Sequence, residues 1–449
     1  MILNVAQYLF SGGLMLRQDL SALGLYKIIS NEFKKILDPR QQRISTISIH
    51  DSIQSACAVF AFKSPSLLSF DVDIRQNSTR ATNLCSLFDL EKVPSDTAMR
   101  EIVDTVETSL LYPSFNKIFS AIQRGKNLDA FRFIDDHYLV ALDGTGFFSS
   151  STVHCENCCV KEHRDGTKTY YHQSLCGVLI HPDNKVVIPF APEPITIQDG
   201  KAKNDCEREA AKRFLVRFSR EHPHLKVIIT EDGLASNAPH IELIKSLEMS
   251  FILGCKPGDH KHLFEFIEAS VNLGAVNRVE LKQGDIGYAF RYMNEVPLND
   301  KSQMLVNFLE CVETKEDGTQ MVFTWVTDIT INDNNVFEIM RGGRARWKIE
   351  NETFNTLKNH GYNFEHNFGH GNQYLSNNFM VLMMLIFLID QTQLLACKVF
   401  QKAREKALTW RRLWEKMRNL VDILDKATWK DILYACAFGF KCQTIINTS

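Results

Sequence analysis

A chain of 449 residues that is 45% hydrophobic and 23% charged has the composition of an ordinary globular protein. At roughly 100–200 residues per domain it has room for two to four domains. Its twelve cysteines are spread along a long chain with no clear secretory signal. This excludes a disulfide framework and puts the thiols in a reducing compartment, so a cytoplasmic location is expected. The formal charge of −2 excludes a uniformly basic chain.

Residues 1–133 read as a helical N-terminal region. Leu20–Leu37, Ile49–Phe62 and Asp96–Phe119 carry apolar residues at helical spacing. Ser95-Asp96 predicts a helix start, and Ser66–Asp71 reads as a tight packing or turn segment. The texture changes at His137. Tyr138–Leu142 is a short apolar run of buried-strand type that ends in Asp143-Gly144-Thr145. Strands are predicted next at Thr169–Leu179 and Lys185–Phe190, then a polar helix at Ala202–Glu221. Another buried-strand run, Leu225–Thr230, ends in Glu231-Asp232-Gly233, and a helix (His240–Leu247) and a strand (Met249–Gly254) follow. Strands alternating with helices predict an α/β core over 134–254 with a largely parallel sheet. In such sheets ligands sit off the carboxyl ends of strands, where Asp143 and Asp232 are expected.

Residues 255–340 break the pattern and read as a β-rich insertion, with strands at Ile286–Tyr292, Met304–Glu313 and Gln320–Ile329 and a hairpin turn at Asp317-Gly318. Over 341–372 a helix is predicted to begin after Gly342-Gly343, to run through Trp347, Ile349, Phe354 and Leu357, and to stop near Gly361. Residues 373–449 read as helical and basic. The stretch Phe379–Ile389 is apolar but far shorter than the about 20 residues of a membrane span, so a buried helix is expected. From Arg341 to Ser449 there are 16 Lys+Arg against 9 Asp+Glu. Lys398, Lys402, Arg404, Lys406, Arg411, Arg412, Lys416 and Arg418 face only Glu405 and Glu415. Such a cluster suits a polyanion and equally a solvated helix face.

The chemistry-bearing residues are acids. Asp143 and Asp232 each end a buried run, and Glu350 follows on the helix after the insertion. Three carboxylates around one cleft suit two Mg²⁺ ions, which bind through few carboxylates plus substrate phosphates. Two ions about 3.5–4 Å apart serve in-line displacement at phosphorus. Each acid has a rival. Glu231 sits beside Asp232, and neighbours on a strand face opposite sides. Glu352 lies about 200° around an α-helix from Glu350. An Asp before Gly is also a common turn former.

Leu142-Asp143-Gly144-Thr145, Ile229-Thr230-Glu231-Asp232-Gly233-Leu234 and Arg344–Glu352 resemble the three motifs of DDE transposases of bacterial insertion sequences, in the subgroup with a β-strand insertion before the last acid. Arg346-Trp347-Lys348-Ile349-Glu350 is the most specific part. The likeness covers about 137–372. It implies an RNase H-like core with a β-rich insertion and helical flanks, and Asp143, Asp232 and Glu350 as catalytic residues and ligands of two Mg²⁺ (or Mn²⁺) ions. It implies an endonuclease and strand transferase acting on element ends and target DNA, working as a homodimer on DNA in a bacterial, nucleoid-associated setting. The helical N-terminal region would contribute DNA binding, and Arg344, Arg346, Lys348 and Lys358 would meet DNA, with Arg346 on a phosphate near the cut end. Arg346 and Glu350 are also spaced for a simple ion pair. Two departures stand out. The subgroup's Tyr three residues before the Arg is Gly343 here, and its Lys seven residues after the Glu is Leu357, with Lys358 one place late. Rival readings are an RNase H-like nuclease that cleaves without joining, and a catalytically inactive DNA-binding derivative.

Cys155 and Cys158 form a Cys-x₂-Cys pair with Cys159, His154, His163, His172 and Cys176 nearby, a spacing that suits structural Zn²⁺. Thiolates are soft ligands that suit zinc rather than magnesium. His360, His366 and His370 are expected to pack at the rim of the site. Lys201, Lys203, Asp205, Glu207 and Lys212 read as a solvated helix face, and Trp410 and Trp414 as a packing face of the tail.

Overall fold

The structure, a computed structural model, describes residues 20–40, 47–196 and 203–439, of which 203–206 are described as backbone only. The apolar run within residues 1–19 and Lys201 lie outside the described residues, as do the side chains of Lys203 and Asp205. The protein is a mixed α/β chain in two compact units. One is built from the described parts of Met1–Leu128, Phe147–His172 and Asn355–Ser449, the other from those of Asp129–Gly146 and Gln173–Phe354.

The first unit opens with helices α1 (Ala22–Phe33), α2 (Ile49–Ala61), α3 (Leu67–Gln76), α4 (Ser78–Phe88), α5 (Asp96–Asp104) and α6 (Tyr112–Arg124). Ser21, Ser48, Ser66, Asn77 and Ser95 each accept a backbone N–H three residues on, which satisfies one of the orphan donors of a helix start. Ser66 is therefore the cap of α3, where the sequence suggested a turn segment. The single helix expected over Asp96–Phe119 is two helices, separated by a 3₁₀ turn at Thr108–Leu111. Pro113 in the first turn of α6 has no N–H to continue a ladder from before it.

The second unit holds the sheet's centre. The strands are β1 (Tyr138–Ser150), β2 (Cys159–Glu162), β3 (Lys168–His181), β4 (Asn184–Pro189) and β5 (Glu193–Ile195), of which β2 belongs to the first unit. Helix α7 (Lys203–Glu221), β6 (Val227–Glu231), α8 (Ala238–Ser246) and β7 (Ser250–Gly254) follow. Next come α9 (Lys261–Asn272), β8 (Asn277–Gln283), β9 (Ile286–Pro297), β10 (Leu305–Thr314), β11 (Gln320–Thr327) and α10 (Val336–Ala345). The open sheet runs β2-β3-β1-β6-β7-β11-β10-β9-β8, with β4 and β5 also paired to β3. β6 and β7 are parallel to their neighbours β1 and β6. β8 to β11 form an antiparallel meander, joined to the parallel strands where β11 pairs β7. The turn between β10 and β11 closes through Lys315 and Thr319, with Gly318 at φ +80. Sequence periodicity missed β2 and β5, which are very short, and also β8 and α9. It also ended the first strand too early, because β1 runs on to Ser150.

Gly342 and Gly343 were expected to precede a helix, yet they lie inside α10. A Cβ on Gly342 would stand 2.9 Å from both Ile252 Cδ1 and Phe133 Cε1. One on Gly343 would stand 2.6 Å from Trp325 Cε2 and 2.7 Å from Cδ1. The glycines let α10 approach the strands, and that close packing outweighs their poor helix propensity. A π turn at Ile349–Phe354 follows.

The first unit resumes with α11 (Asn355–Asn359), α12 (Leu375–Ala396), α13 (Lys398–Ala407), α14 (Trp410–Ile423) and α15 (Trp429–Phe438). By length and composition α12 could cross a membrane, but 83% of its most apolar window is buried within the fold, so it serves as the core helix of this unit. Asp104 holds its start, accepting the N–H groups of Asn372, Gln373, Tyr374 and Leu375 at 2.8–3.1 Å. Lys63 is buried against it, with Nζ 2.5 Å from Asp390 Oδ2, an oxygen that also accepts from Tyr362 Oη at 2.6 Å.

Candidate functional site

Parallel pairing decides where the two aspartates lie. Tyr138 is opposite Val227 and Ala141 opposite Thr230. The pairing ends there, and Asp143 and Asp232 each follow two residues beyond the last paired residue of their strand. Asp143 lies within β1, past its last residue paired to β6, whereas Asp232 is exposed just beyond the end of β6. Asp143 Oδ1 accepts the N–H of Gly144 at 2.9 Å, and Asp232 Oδ1 that of Leu234 at 2.9 Å. Glu231 goes elsewhere: it is buried and 2.7 Å from His240 Nε2. Burial disfavours the imidazolium, but the Glu231 carboxylate outweighs it and raises the pKa of His240.

Glu350 joins this cluster through Arg346. The Arg346 Nη1 lies 3.3 Å from Asp143 Oδ2 and 3.2 Å from Glu350 Oε1. The i,i+4 ion pair therefore exists, but the guanidinium is shared with an acid 203 residues away. The charge of Glu352 acts on Lys348.

A fourth acid was missed. Glu207 on α7 was read as part of a solvated face, yet a Cβ on Gly144 would meet its Cδ and Oε1 at 3.0 Å. Glu207 thus lies over the residue next to Asp143, and a cleft lined by Asp143, Glu207, Arg208, Glu231, Asp232 and His240 opens there. The one sequence signal available was a small residue after the first acid, which admits a side chain from above. Burial pushes the Asp143 carboxyl up to about 7 from an ordinary 3.8; Arg346 opposes the shift, and Glu350, Glu207 and Asp232 add to it. Arg346 is shared by Asp143 and Glu350, and Glu207, Asp232 and Arg208 line the cleft beside them, a concentration of carboxylates that a divalent cation would neutralise. The donor set is all oxygen, as Mg²⁺ or Mn²⁺ requires. The acids do not all lie within 4.8 Å of one another. Carboxylates that share two ions about 3.5–4 Å apart span more than one ion's shell.

Arg344, Lys348 and Lys358 are engaged within the protein. Arg344 pairs with Glu313 and stacks over Phe323 at 4.2 Å. Lys348 donates to the Asn184 carbonyl at 2.9 Å, and burial lowers its pKa. Lys358 pairs with Glu365 at 2.8 Å. Leu357, at the place of the subgroup's Lys, is fully buried. Trp347, expected within a helix, is 48% exposed and stands beside Arg346, whose guanidinium is 4.9 Å from its ring centroid. In the tail, Arg418 donates to the carbonyls of Phe62 and Lys63, Arg404 stacks over Trp410, and Lys402 pairs with Glu405. Trp414 is buried and donates to the His360 carbonyl at 3.0 Å, while Trp410 stacks on it, so this pair packs.

The thiols form a second cluster. Cys155, Cys158, His172 and His370 bring one ligand atom each to within 4.8 Å of one another, a set that could hold a metal ion. His370, expected to pack at a rim, is therefore part of it. The Cys158 thiol, with the two imidazoles, holds that of Cys155 below its usual range against the effect of burial. The remaining candidates lie outside the set: His163 bonds Thr169 Oγ1, His154 packs at a tilt against Tyr170, His366 meets Phe368 edge to face, and Cys176 is a buried thiol on β3. Among the described residues no other group of this kind occurs. Comparison of the chain with models of protein families gives no match, and comparison with curated proteins gives none either.

Proposed function

We propose that this protein is a DDE-type transposase of an insertion sequence, which cleaves DNA at element ends and joins the freed 3′-OH to target DNA. The observation that carries the reading is the convergence of the three motif acids. Asp143 and Asp232 each follow by two residues the last paired residues of β1 and β6 and line one cleft, and Arg346 links Asp143 to Glu350. The strand order β4-β3-β1-β6-β7, with β6 parallel to β1 and β7 parallel to β6, supports an RNase H-like core, and the meander β8–β11 fits the insertion of the subgroup.

Asp143, Asp232 and Glu350 would hold two Mg²⁺ ions, with Glu207 placed to add charge. When bound, these ions supply charge for the attacking and leaving oxygens of an in-line displacement at phosphorus. The chain's own residues set the conditions. Burial raises the Asp143 carboxyl to about 7, so near neutral pH a bound cation would favour its ionised form. Arg346 keeps two like-charged carboxylates side by side. Its planar fork can also turn to a phosphate, for which Arg is well shaped. The half-exposed Trp347 offers an aromatic face next to it for a nucleotide. Cleavage by water and joining by a 3′-OH are the same displacement with different nucleophiles, so one site serves both. The thiolate cluster takes no part in this chemistry.

The test is Mg²⁺- or Mn²⁺-dependent cleavage and strand transfer on DNA carrying the ends of the encoding element, comparing wild type, Glu350→Gln and Glu352→Gln. Activity in wild type and Glu352→Gln but not in Glu350→Gln is expected. Cleavage without joining would make the protein a nuclease. No cleavage by any of the three would leave a DNA-binding derivative.

A further inference from the structure

We propose that Cys155, Cys158, His172 and His370 form a closed tetrahedral Cys₂His₂ zinc site that fixes the chain ahead of the core helix α12. Zinc bonds of about 2.3 Å to sulfur and about 2.0–2.1 Å to nitrogen give a tetrahedron with edges of about 3.8 Å (S–S), 3.6 Å (S–N) and 3.3 Å (N–N). The distances match on all three edge types. The two Sγ atoms are 3.9 Å apart. Cys155 Sγ is 3.5 Å from His172 Nε2, and Cys158 Sγ is 3.4 Å from His172 Nε2 and 3.3 Å from His370 Nε2. The two Nε2 atoms are 3.1 Å apart.

The surroundings prepare each donor. Cys155 and Cys158 sit on one tight turn, closed by Cys158 N–H to Cys155 O at 3.2 Å. The Cys155 N–H points at Cys158 Sγ at 3.4 Å, a donor that favours thiolate over thiol. His370 Nδ1 is 2.9 Å from the Gly371 carbonyl, so Nδ1 donates there and Nε2 is left as the lone-pair nitrogen. Without a cation, two imidazole Nε2 atoms and two sulfurs would crowd their lone pairs together in a buried place. Cys158, His172 and His370 are each under a tenth exposed, and all four positions come from the protein. That is the arrangement of a structural site, with no place kept open for substrate. A disulfide is the rival use of the two thiols, but the sulfurs stand far beyond the about 2.05 Å of that bond.

The ligands come from the turn before β2, from β3 and from the loop before α12. His172 and His370 are 198 residues apart in sequence, and a clip across so long a loop removes chain entropy from the unfolded state. It acts beside the Asp104 cap on the same loop.

The full chain, purified under reducing conditions from zinc-supplemented culture, should carry about one zinc ion, the number one four-ligand site holds. Replacement by Co²⁺ should give intense tetrahedral ligand-field bands with a thiolate charge-transfer band. Cys158→Ser and His370→Ala should lose most of the metal, whereas Cys159→Ser should keep it. His370→Cys should retain metal with a stronger charge-transfer band, which separates ligand loss from misfolding. Zinc removal should lower the melting temperature. The proposal is overturned if reduced wild-type protein holds no zinc, if its cobalt form is octahedral, or if the variants keep wild-type metal content. None of these readouts uses DNA cleavage.

Discussion

Asp143 should make the metal-free protein less stable at neutral pH, and replacing it should stabilise the fold. Its carboxyl is held at about 7 against an ordinary 3.8, by burial first and by Glu350, Glu207 and Asp232 after it. The folded state therefore binds a proton that the unfolded chain has released at any pH between those values. Stability then falls as pH rises through that window, is untouched below it and levels off above about 7. At about 1.36 kcal/mol per unit, the full shift sets a ceiling of about 4 kcal/mol. Asp143→Asn removes the ionisation and keeps the shape. In buffer without added divalent ions it should melt several degrees above wild type at pH 8, at the rough rate of 2–4 °C per kcal/mol for a unit of this size. The gap should close towards pH 4. Millimolar Mg²⁺ should narrow it at pH 8, because an ion that binds only the folded wild type stabilises it. Thermal melts by circular dichroism at pH 4, 6 and 8 suffice. A variant no more stable than wild type at pH 8, or a gap that ignores pH, would refute the account of the site's electrostatics.

Three further outcomes are expected. Arg346→Met removes the guanidinium that opposes the raised pKa of Asp143, so the pH at which Mn²⁺ binding is half-maximal should move upward; an unchanged profile would show that the guanidinium does not act on that acid. Glu207→Gln removes one repelling charge and should move the same midpoint downward, where a mere surface residue would leave it in place. Lys63→Met strands Asp390 without its buried partner and should cost about 3–5 kcal/mol, measured by denaturant unfolding; because the partner charge is also gone, Lys63→Met with Asp390→Leu should recover most of it.

Short-range patterns were enough to read the strands that carry the acids. Tyr138–Leu142 and Leu225–Thr230 are apolar runs whose burial on both faces leaves no other element for them. The cap at Ser95 and the Asp317-Gly318 turn are local devices, set by residues close in sequence. The spacing of 89 residues between Asp143 and Asp232 is also in the sequence, but it carries meaning only once Tyr138 pairs with Val227. Long-range packing decided the rest. Gly342 and Gly343 looked like a helix boundary because propensity is local, whereas the rings of Phe133 and Trp325 that require glycine there come from distant segments. Glu350 was chosen by its place in the motif, and the separation of Glu352 from it was read from α-helical angles, whereas the chain makes a π turn there. What separates the two acids is that Arg346 reaches both Asp143 and Glu350. Glu207 and His370 were beyond any reading of spacing, since each meets its partners only after the sheet has brought together segments about 60 and 200 residues apart.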